Sequence, residues 1–438
     1  MITLRPFRAL HYNREIVGDL SRVIAPPYDV IDAAHLERLY ARSPLNVVRL
    51  ILNREVDRYT AAANTLSAWW REGVLRRDSE SCLYYYVQDF TLPDGTRRTR
   101  SGLMGAVGLQ PFAEGNIRPH ERTFPRAKED RLRLIDACRT NLSPIFGVYP
   151  GRAECVEAVH AECARQPAWI DLVDETADRH RLWRLSSPAL VESVVAAFRE
   201  QTIFIADGHH RYETALAYRD QRRARGETDP QAPHNFILMY LASMHDPGLV
   251  ILPTHRVVRA LPTGTAANWL EALGEYFVSE AVPHTAEGER RVAASLASES
   301  SAPVLGLCAA GRDDLLLLRL RDPRVLDTVL ADFHPTVRQL AVTVLDALVL
   351  RGVLGIDCTA AAQAGTLTYT HRDEEALAAV RGEGGAAAAF LVRPPNMREV
   401  EAVCLAGQTV PEKSTYFYPK LLSGLVFHSL DEPPRFAG

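Results

Sequence analysis

The first half of the chain alternates short apolar runs with longer stretches in which apolar residues recur every three or four positions. Runs of the first kind predict β-strands, and stretches of the second kind predict amphipathic helices. The predicted strands are 47–52, 83–88, 99–109, 144–148 and 202–206, and the predicted helices are 59–72, 127–138 and 191–200. Strands interleaved with helices are typical of an α/β fold.

One turn adds an antiparallel element to this pattern. In the segment 91–95, Pro93 presets one backbone dihedral and Gly95 accepts a positive φ, which predicts a hairpin. A sheet that contains both a hairpin and helical crossovers has strands in both directions. We therefore expect an α/β fold built on a mixed sheet.

The pattern changes near Ala260, where residues 262–265 are typical of a linker and Ala-rich helical stretches follow. Short strands are predicted at 304–307 and 315–320, and the run 382–389 predicts a turn that leads into another strand. We expect two domains, 1–260 and 261–438. The second would be an α+β unit that contributes the segment from Lys413 to Lys420.

Composition narrows the class of ligand. Hydrophobic residues make up 47% and charged residues 24% of the 438 positions, as in ordinary globular proteins. A formal net charge of -4 gives no reason to expect nucleic acid or anionic lipid, so small molecules are the default partners. A homodimer is compatible with these figures.

Cysteine usage and hydropathy indicate the compartment. The seven cysteines are odd in number and form no CxxC pair, so neither a disulfide framework nor a zinc site is indicated. The N-terminus does not have the pattern of a secretory signal. No apolar stretch reaches the roughly 18 residues of a membrane span. We expect a cytoplasmic protein without a membrane partner.

The segment 202–216 carries the densest chemistry. A short apolar run ends at Asp207 and Gly208, and a helical pattern begins at once. The N–H groups and dipole of a helix start favour an anion, and Gly208, His209, His210 and Arg211 suit phosphate oxygens. The alternative is that Asp207 is the N-cap of the helix and the histidines are ordinary polar residues.

The segment 118–131 is a second candidate, since it combines proline turns with basic side chains. A basic loop there could clamp phosphates and offer a carboxylate for proton transfer. The residues that carry this prediction are His120, Glu121, Arg122, Arg126 and Lys128. The alternative is a solvated helix face on which Glu129 and Asp130 pair with Arg133 and its neighbours.

Two further segments are weaker candidates. In 25–31, two prolines precede Asp29, which either is a positioned carboxylate or caps the helix that starts near Ala33. In 411–420, Lys413 could bind phosphate, while the three aromatic residues after it are more typical of packing.

A transition-metal site assembled from His120, Glu121, His209, His210 and His255 is a different possibility. Its spacing is unfavourable because His209 and His210 are adjacent, so their side chains diverge. The sequence also lacks GxxxxGK[ST], GxGxxG after a first strand, HExxH and GxSxG. The corresponding nucleotide, dinucleotide, zinc-protease and hydrolase classes therefore lose support.

With these segments in view, the chain resembles the family called domain of unknown function 1015. The resemblance rests on 25–31, 119–124, 141–144, 206–212 and 413–420 and spans nearly the whole chain. More distantly, Gly208-His-His-Arg211 resembles the phosphate-binding box of the ParB and sulfiredoxin superfamily, some members of which phosphorylate free serine. This second resemblance implies a ParB/sulfiredoxin-like N-terminal half.

The superfamily resemblance also implies an activity, namely nucleotide-dependent phosphoryl transfer to a small hydroxyl compound such as serine. ATP or ADP would be the nucleotide, and Mg²⁺ would neutralise charge. Glu121 would be the base, with Asp29, Asp207 and His120 as further catalytic candidates. The alternatives are a phosphatase of a metabolite such as phosphoserine and a non-catalytic nucleotide-binding switch or scaffold. Substituting Arg211 by Ala is expected to abolish activity and to leave thermal stability nearly unchanged.

Overall fold

The computed structural model describes residues 1–121, 125–151, 154–265, 268–298, 302–382 and 385–431. The chain forms two compact units. The first contains residues 1–119, 123–250 and 419–438, and the second contains 120–122 and 251–418. The division thus comes before the expected boundary at residue 260, and the C-terminal residues group with the first unit.

The first unit is built on a nine-stranded sheet. Across the sheet, the strands are Ile117–Pro119, Ile203–Asp207, Ile145–Tyr149, Phe236–Ser243, Arg97–Gly108, Leu83–Thr91, Arg179–Leu185 and Ile170–Val173, and Leu4–Arg5 also pairs with Arg97–Gly108. Ile203–Asp207 runs parallel to Ile117–Pro119, and Phe236–Ser243 runs parallel to Ile145–Tyr149, while the other pairs are antiparallel. The predicted mixed sheet is confirmed.

The predicted hairpin is confirmed as well. Leu83–Thr91 and Arg97–Gly108 pair antiparallel, and Gly95 has a φ of +83° in the turn between them. Two smaller antiparallel sheets join Leu10–Tyr12 to Leu75–Arg77 and Thr140–Asn141 to His428–Ser429. The second of these holds the C-terminal segment on the first unit.

The helices of the first unit are Arg14–Val17, Ala33–Arg42, Val48–Ile51, Arg58–Arg71, Pro125–Cys138, Glu154–Cys163, Pro188–Phe198 and His209–Ala224. The predicted helices are confirmed. The predicted strand at 47–52 is wrong, because this segment is the helix Val48–Ile51. Asn46 accounts for the difference: its Oδ1 accepts from the N–H of Val48 at 3.0 Å, and its amide donates to the carbonyls of Arg22 and Ile24.

The core of the first unit lies on both faces of its sheet. Successive residues of Leu83–Thr91 are buried although their side chains alternate in direction. Leu83 and Tyr85 pack into the cluster under the helices, and Tyr84 and Tyr86 on the opposite face are fully buried. A sheet buried on both faces gives nearly continuous apolar runs, which explains why these strands stood out in the sequence.

The second unit is built on a six-stranded antiparallel sheet. The strands, in order, are Phe277–Pro283, Asp314–Leu320, Val304–Ala309, Ala388–Leu391, His255–Val258 and Leu367–Thr370. A short pair, Val250–Leu252 with Tyr416–Tyr418, begins where the chain enters this unit. The strands predicted at 304–307 and 315–320 are confirmed.

The helices of the second unit include one unusual element. Ala341–Val344 continues into a nine-residue π-helix, Leu345–Val353. The α-helices of this unit are Trp269–Ala272, Ala286–Ala297, Val325–Val329, Pro335–Arg338, Ala341–Val344, Cys358–Gln363, Asp373–Arg381 and Met397–Leu405. Helices and an antiparallel sheet make this unit α+β, as expected.

The cysteines and the longest apolar helices bear on disulfide bonds and membrane insertion. All seven cysteines are unpaired thiols, and six of them are buried. Within the residues that the structure describes, no helix combines the length and apolar character needed to span a bilayer.

Candidate phosphate site

The junction after Ile203–Asp207 has the predicted strand, turn and helix. Gly208 adopts a left-handed φ of +92° and is followed directly by the helix His209–Ala224. A Cβ on Gly208 would lie 3.0 Å from the guanidinium of Arg211. Glycine is favoured here for two reasons, the positive φ and the close approach of that side chain.

Asp207 is not the N-cap of the helix, so the alternative interpretation of this residue is wrong. The N-cap is Gly208, which has no side chain to cap with. Oδ2 of Asp207 instead accepts from Nη2 of Arg211 at 2.5 Å, and Oδ1 accepts from the ammonium of Lys420. Burial raises the pKa of Asp207, but Lys420, Arg211 and His209 outweigh it and hold that pKa well below its usual range.

Lys420 was not among the predicted site residues, although it lies in one of the segments that carry the family resemblance. Arg100, which is fully buried, fixes the backbone next to it by donating to the carbonyl of Pro419 at 2.6 Å. The guanidinium of Arg100 also lies 4.6 Å from the ring centre of Phe146. Arg100 thus anchors the backbone directly before Lys420.

Arg211 connects this junction to a small cavity in the first unit. It donates to the carbonyl of Pro144 as well as to Asp207, and only 13% of its side chain is exposed. The cavity has a volume of about 60 Å³, and Arg211, Tyr28, Ser143 and Thr214 are among its lining residues. Three segments separated in sequence, 25–31, 141–144 and 206–212, therefore meet at one place.

Tyr28, the residue before the predicted Asp29, lines this cavity. The guanidinium of Arg131 lies 4.2 Å from the Tyr28 ring centre. Burial and the charge of Asp29 raise the pKa of Tyr28, against the opposing effects of Arg131 and Arg211. Asp29 itself is exposed, and it does not cap the next helix, because Asp32 accepts from the N–H of His35 at 2.7 Å.

The remaining predicted residues of the first unit lie along the same helix. His209 is buried and His210 is half-buried in its first turn. Lys128 forms an ion pair of 2.6 Å with Glu213 of this helix. The predicted local pair between Glu129 and Arg133 is present at 2.8 Å. The ion pair places Lys128 beside the helix His209–Ala224, and the Glu213 carboxylate neutralises the charge of Lys128.

A second group of predicted residues lies together in the second unit. Oε1 of Glu121 accepts from the backbone N–H of Lys413 at 2.5 Å, and Nε2 of His120 lies 2.6 Å from the hydroxyl of Thr415. Lys413 has a φ of +57°, a left-handed conformation that is costly for a residue with a Cβ. Arg122 and the side chain of Arg126 lie outside the described residues.

The histidines do not assemble a metal site. Over the described part of the chain, no group of three or more His, Cys, Asp or Glu side chains could hold an ion. His255 is instead buried in the second unit, where Nε2 lies 2.6 Å from Oδ1 of Asp373 and Nδ1 accepts from the N–H of Val392.

Several solved structures resemble parts of the chain. A conserved hypothetical protein from Pyrococcus furiosus is 14% identical, with a TM-score of 0.34, over 73% of this chain and 94% of that chain. A free serine kinase in complex with AMP is 13% identical, with a TM-score of 0.32, over 69% and 83%. SbnI with a C-terminal truncation from Staphylococcus aureus is 14% identical, with a TM-score of 0.33, over 73% and 85%. Similarity at this level assigns no function to the chain.

Sequence comparison gives a clearer result. No curated protein sequence matches the chain. A family model described as "Protein of unknown function (DUF1015)" matches residues 4–347, which is more than half of the 438 residues. Three of the segments that meet around Arg211 and Asp207 lie within this range. The chain belongs to the DUF1015 family.

Proposed function

We propose that this chain binds nucleotide phosphates at the start of the helix His209–Ala224 and transfers a phosphoryl group to a small hydroxyl compound, with serine or a serine-like amino acid as the first candidate. One observation carries the proposal. A glycine with a φ of +92° opens a sixteen-residue helix whose first-turn arginine lines a cavity. Such a turn directs backbone N–H groups and the positive end of the helix dipole toward an anion.

The local charge also favours an anion. Asp207 contributes one negative charge, and Arg211 and Lys420 contribute two positive charges in direct contact with it. The three side chains together therefore carry one net positive charge. Because Arg211 has five N–H donors in a planar fork, it can hold the Asp207 carboxylate and still bind phosphate oxygens.

The cavity is the size of a phosphate group. A volume of about 60 Å³ corresponds to roughly four water positions. The hydroxyl of Ser143 and the guanidinium of Arg211 are among the polar groups on its wall. This volume suits one anionic oxygen cluster, and the rest of a nucleotide would lie outside the cavity.

The further roles are assigned from the sequence resemblance and from the position of each side chain. Glu121 is the proposed base for the hydroxyl proton, and its hydrogen bond from the N–H of Lys413 fixes the orientation of the carboxylate. Mg²⁺ would be held by phosphate oxygens and one or two carboxylates, for which the exposed Asp29 is the candidate. His120 would position the loop, and Lys413 would supply a further cation.

The test is a binding and turnover experiment on the full chain. Binding of ATP, ADP, pyrophosphate, phosphoserine and serine is measured by calorimetry with and without Mg²⁺, and phosphoserine formation from ATP and serine is followed by ³¹P NMR. We expect saturable nucleotide binding and transfer. Phosphate release from phosphoserine without nucleotide would indicate a phosphatase instead, and nucleotide binding without transfer would indicate a switch.

A matched pair of variants locates the site. Arg211→Lys keeps the charge but removes the fork, and we expect at least a tenfold loss of nucleotide affinity, roughly 1.4 kcal/mol. Arg225→Lys makes the same change at the C-terminal end of the same helix and is expected to bind nucleotide like the unaltered protein. Equal affinities for the two variants would place any nucleotide elsewhere.

A further inference from the structure

The second unit contains a polar cavity that the proposed phosphate site does not use. Its volume is about 160 Å³. Thr343, Asp346, Arg351, Thr359, Tyr369 and Glu412 are among its lining residues. A cavity of this size holds roughly ten water positions, which is sufficient for a small metabolite.

Two of the lining residues carry a polar atom that is buried without a hydrogen-bond partner. Among the described residues, no donor or acceptor reaches Oδ1 of Asp346 or the hydroxyl of Thr343, although these residues are only 7% and 1% exposed. Arg256 forms an ion pair with Asp346, but its Nε is 3.6 Å from Oδ1, which is too far for a good hydrogen bond. Buried polar atoms normally have partners, so Asp346 and Thr343 place unsatisfied hydrogen-bonding capacity beside the cavity.

The neighbouring arginine is also buried with unsatisfied hydrogen-bond donors. Arg256 is 1% exposed, and its Nη1 donates to the carbonyl of Thr254. Its Nε and Nη2 have no hydrogen-bond partner within the described ranges. Burial raises the pKa of Asp346, while Arg256 and Arg351 lower it. The carboxyl is thus buried at a cost that a bound cationic group would reduce.

The π-helix explains why two opposite charges line one cavity. Asp346 and Arg351 are five residues apart within Leu345–Val353, and both belong to the cavity wall. In an α-helix, residues five apart point in different directions, because neighbours on one face are three or four apart. Hydrogen bonds from i to i+5 place such residues nearly above one another, and π-helices are frequent at functional sites.

We propose that this cavity binds a free α-amino acid, whose ammonium lies at Asp346 and whose carboxylate lies at Arg351. The ligand class follows from the charges: a carboxylate and a guanidinium on one wall suit a small molecule that carries both signs. The hydroxyls of Thr343, Thr359 and Tyr369 suit a polar side chain such as that of serine. The proposal does not depend on phosphoryl transfer in the first unit.

The cavity also adjoins residues that the sequence singled out. Its wall includes residues 409–412, which directly precede Lys413. In the same unit, Val410 donates to the carbonyl of His120 at 2.7 Å, and Glu121 holds the N–H of Lys413. An occupant would therefore contact the loop that orients Glu121.

The test is calorimetry on the full chain without nucleotide. L-serine is the probe, ethanolamine lacks the carboxylate, and 3-hydroxypropanoate lacks the ammonium. We expect saturable binding of L-serine and at least tenfold weaker binding of the other two. Comparable binding of ethanolamine or 3-hydroxypropanoate would overturn the assignment of a zwitterion, and absence of saturable binding of L-serine would overturn the proposal.

Variants tie the binding to this cavity. Asp346→Asn and Arg351→Gln are each expected to weaken L-serine binding at least tenfold, while Arg290→Gln, an exposed arginine on another helix of this unit, should not change it. Because Arg351 is exposed, its substitution should leave the fold intact. If Arg351→Gln folds normally and binds L-serine with unchanged affinity, the proposal is wrong.

Discussion

Nη2 of Arg211 lies 2.5 Å from Oδ2 of Asp207, one helical turn earlier in the chain. The Lys420 ammonium contacts the other oxygen of the same carboxylate. Asp207 therefore holds two cations at the start of a helix, and the two cations keep the carboxyl ionised.

Arg211→Ala is expected to lower stability, which revises the expectation from sequence alone. The side chain is 13% exposed and donates to both Asp207 and the carbonyl of Pro144. Removing it leaves buried acceptors with fewer partners, at a cost of about 1–3 kcal/mol. Urea unfolding monitored by circular dichroism measures the change. Arg225→Ala, at the exposed end of the same helix, should cost far less.

Lys420→Met should destabilise the first unit at neutral pH and reduce the acid dependence of its stability. The pKa of Asp207 is lowered in the folded state, so its stabilising contribution is present above the unfolded value near 3.9 and is lost as pH falls toward the folded value. Without Lys420, burial dominates and that pKa rises. We expect a loss of roughly 3 kcal/mol at neutral pH.

The double variant Asp207→Asn with Lys420→Met is the control for this prediction, because it removes both charges. It should recover part of the lost stability. Unfolding free energies measured from about pH 3 to about pH 7 provide the comparison. A single variant as stable as the unaltered protein at every pH would show that the ion pair contributes nothing.

Gly208→Ala is expected to impair both stability and phosphate binding. The left-handed φ of +92° costs a residue with a Cβ about 1–2 kcal/mol. The new methyl group would also lie 3.0 Å from the Arg211 guanidinium and displace it. Gly226→Ala is a close control, since Gly226 has a φ of +94° and open space around its Cβ position. The midpoint temperature of thermal unfolding should fall in both variants. The affinity for pyrophosphate should fall only in Gly208→Ala.

Lys413→Gly should separate stability from function. Lys413 has a φ of +57°, so glycine relieves backbone strain and is expected to stabilise the protein by about 1 kcal/mol. If the lysine binds phosphate, phosphoryl transfer should fall in the same variant. Ala177→Gly, at a φ of +66° in the first unit, should also be more stable, with unchanged activity. Loss of stability in Lys413→Gly would contradict the strain argument.

His428 is expected to cause a separate decrease in stability under mildly acidic conditions. Burial, with Arg5 and Arg77, lowers the pKa of His428 to about 3. The unfolded chain binds a proton near pH 6.5, so this contribution is complete above that value and declines as pH falls. The slope should be about 1 kcal/mol per pH unit below roughly pH 6. His428→Gln should remove that slope, as measured by urea unfolding at several pH values.

Most of the secondary structure and the main junction could be predicted from the amino-acid sequence alone. The sequence predicted the strand, turn and helix at this junction because Ile203–Asp207 begins with a continuous apolar run and Gly208 ends it. The hairpin at Gly95 could be predicted from its turn residues, since glycine accepts the positive φ of that position. The strand prediction for 47–52 was wrong because a short apolar run is compatible with a strand or a helix. The side-chain hydrogen bonds of Asn46 favour the helix.

The partners of the charged residues depend on how the chain folds in three dimensions. Lys420 is 213 residues from Asp207 in the chain, so no local pattern could pair them. The meeting of Tyr28, Ser143 and Arg211 around one cavity depends in the same way on how the chain folds back. In the second unit, no local pattern marked Asp346 as a candidate, and only the π-helix and the burial of its carboxyl make it a candidate ligand. Local propensity follows neighbours in sequence, whereas electrostatics and burial follow neighbours in space.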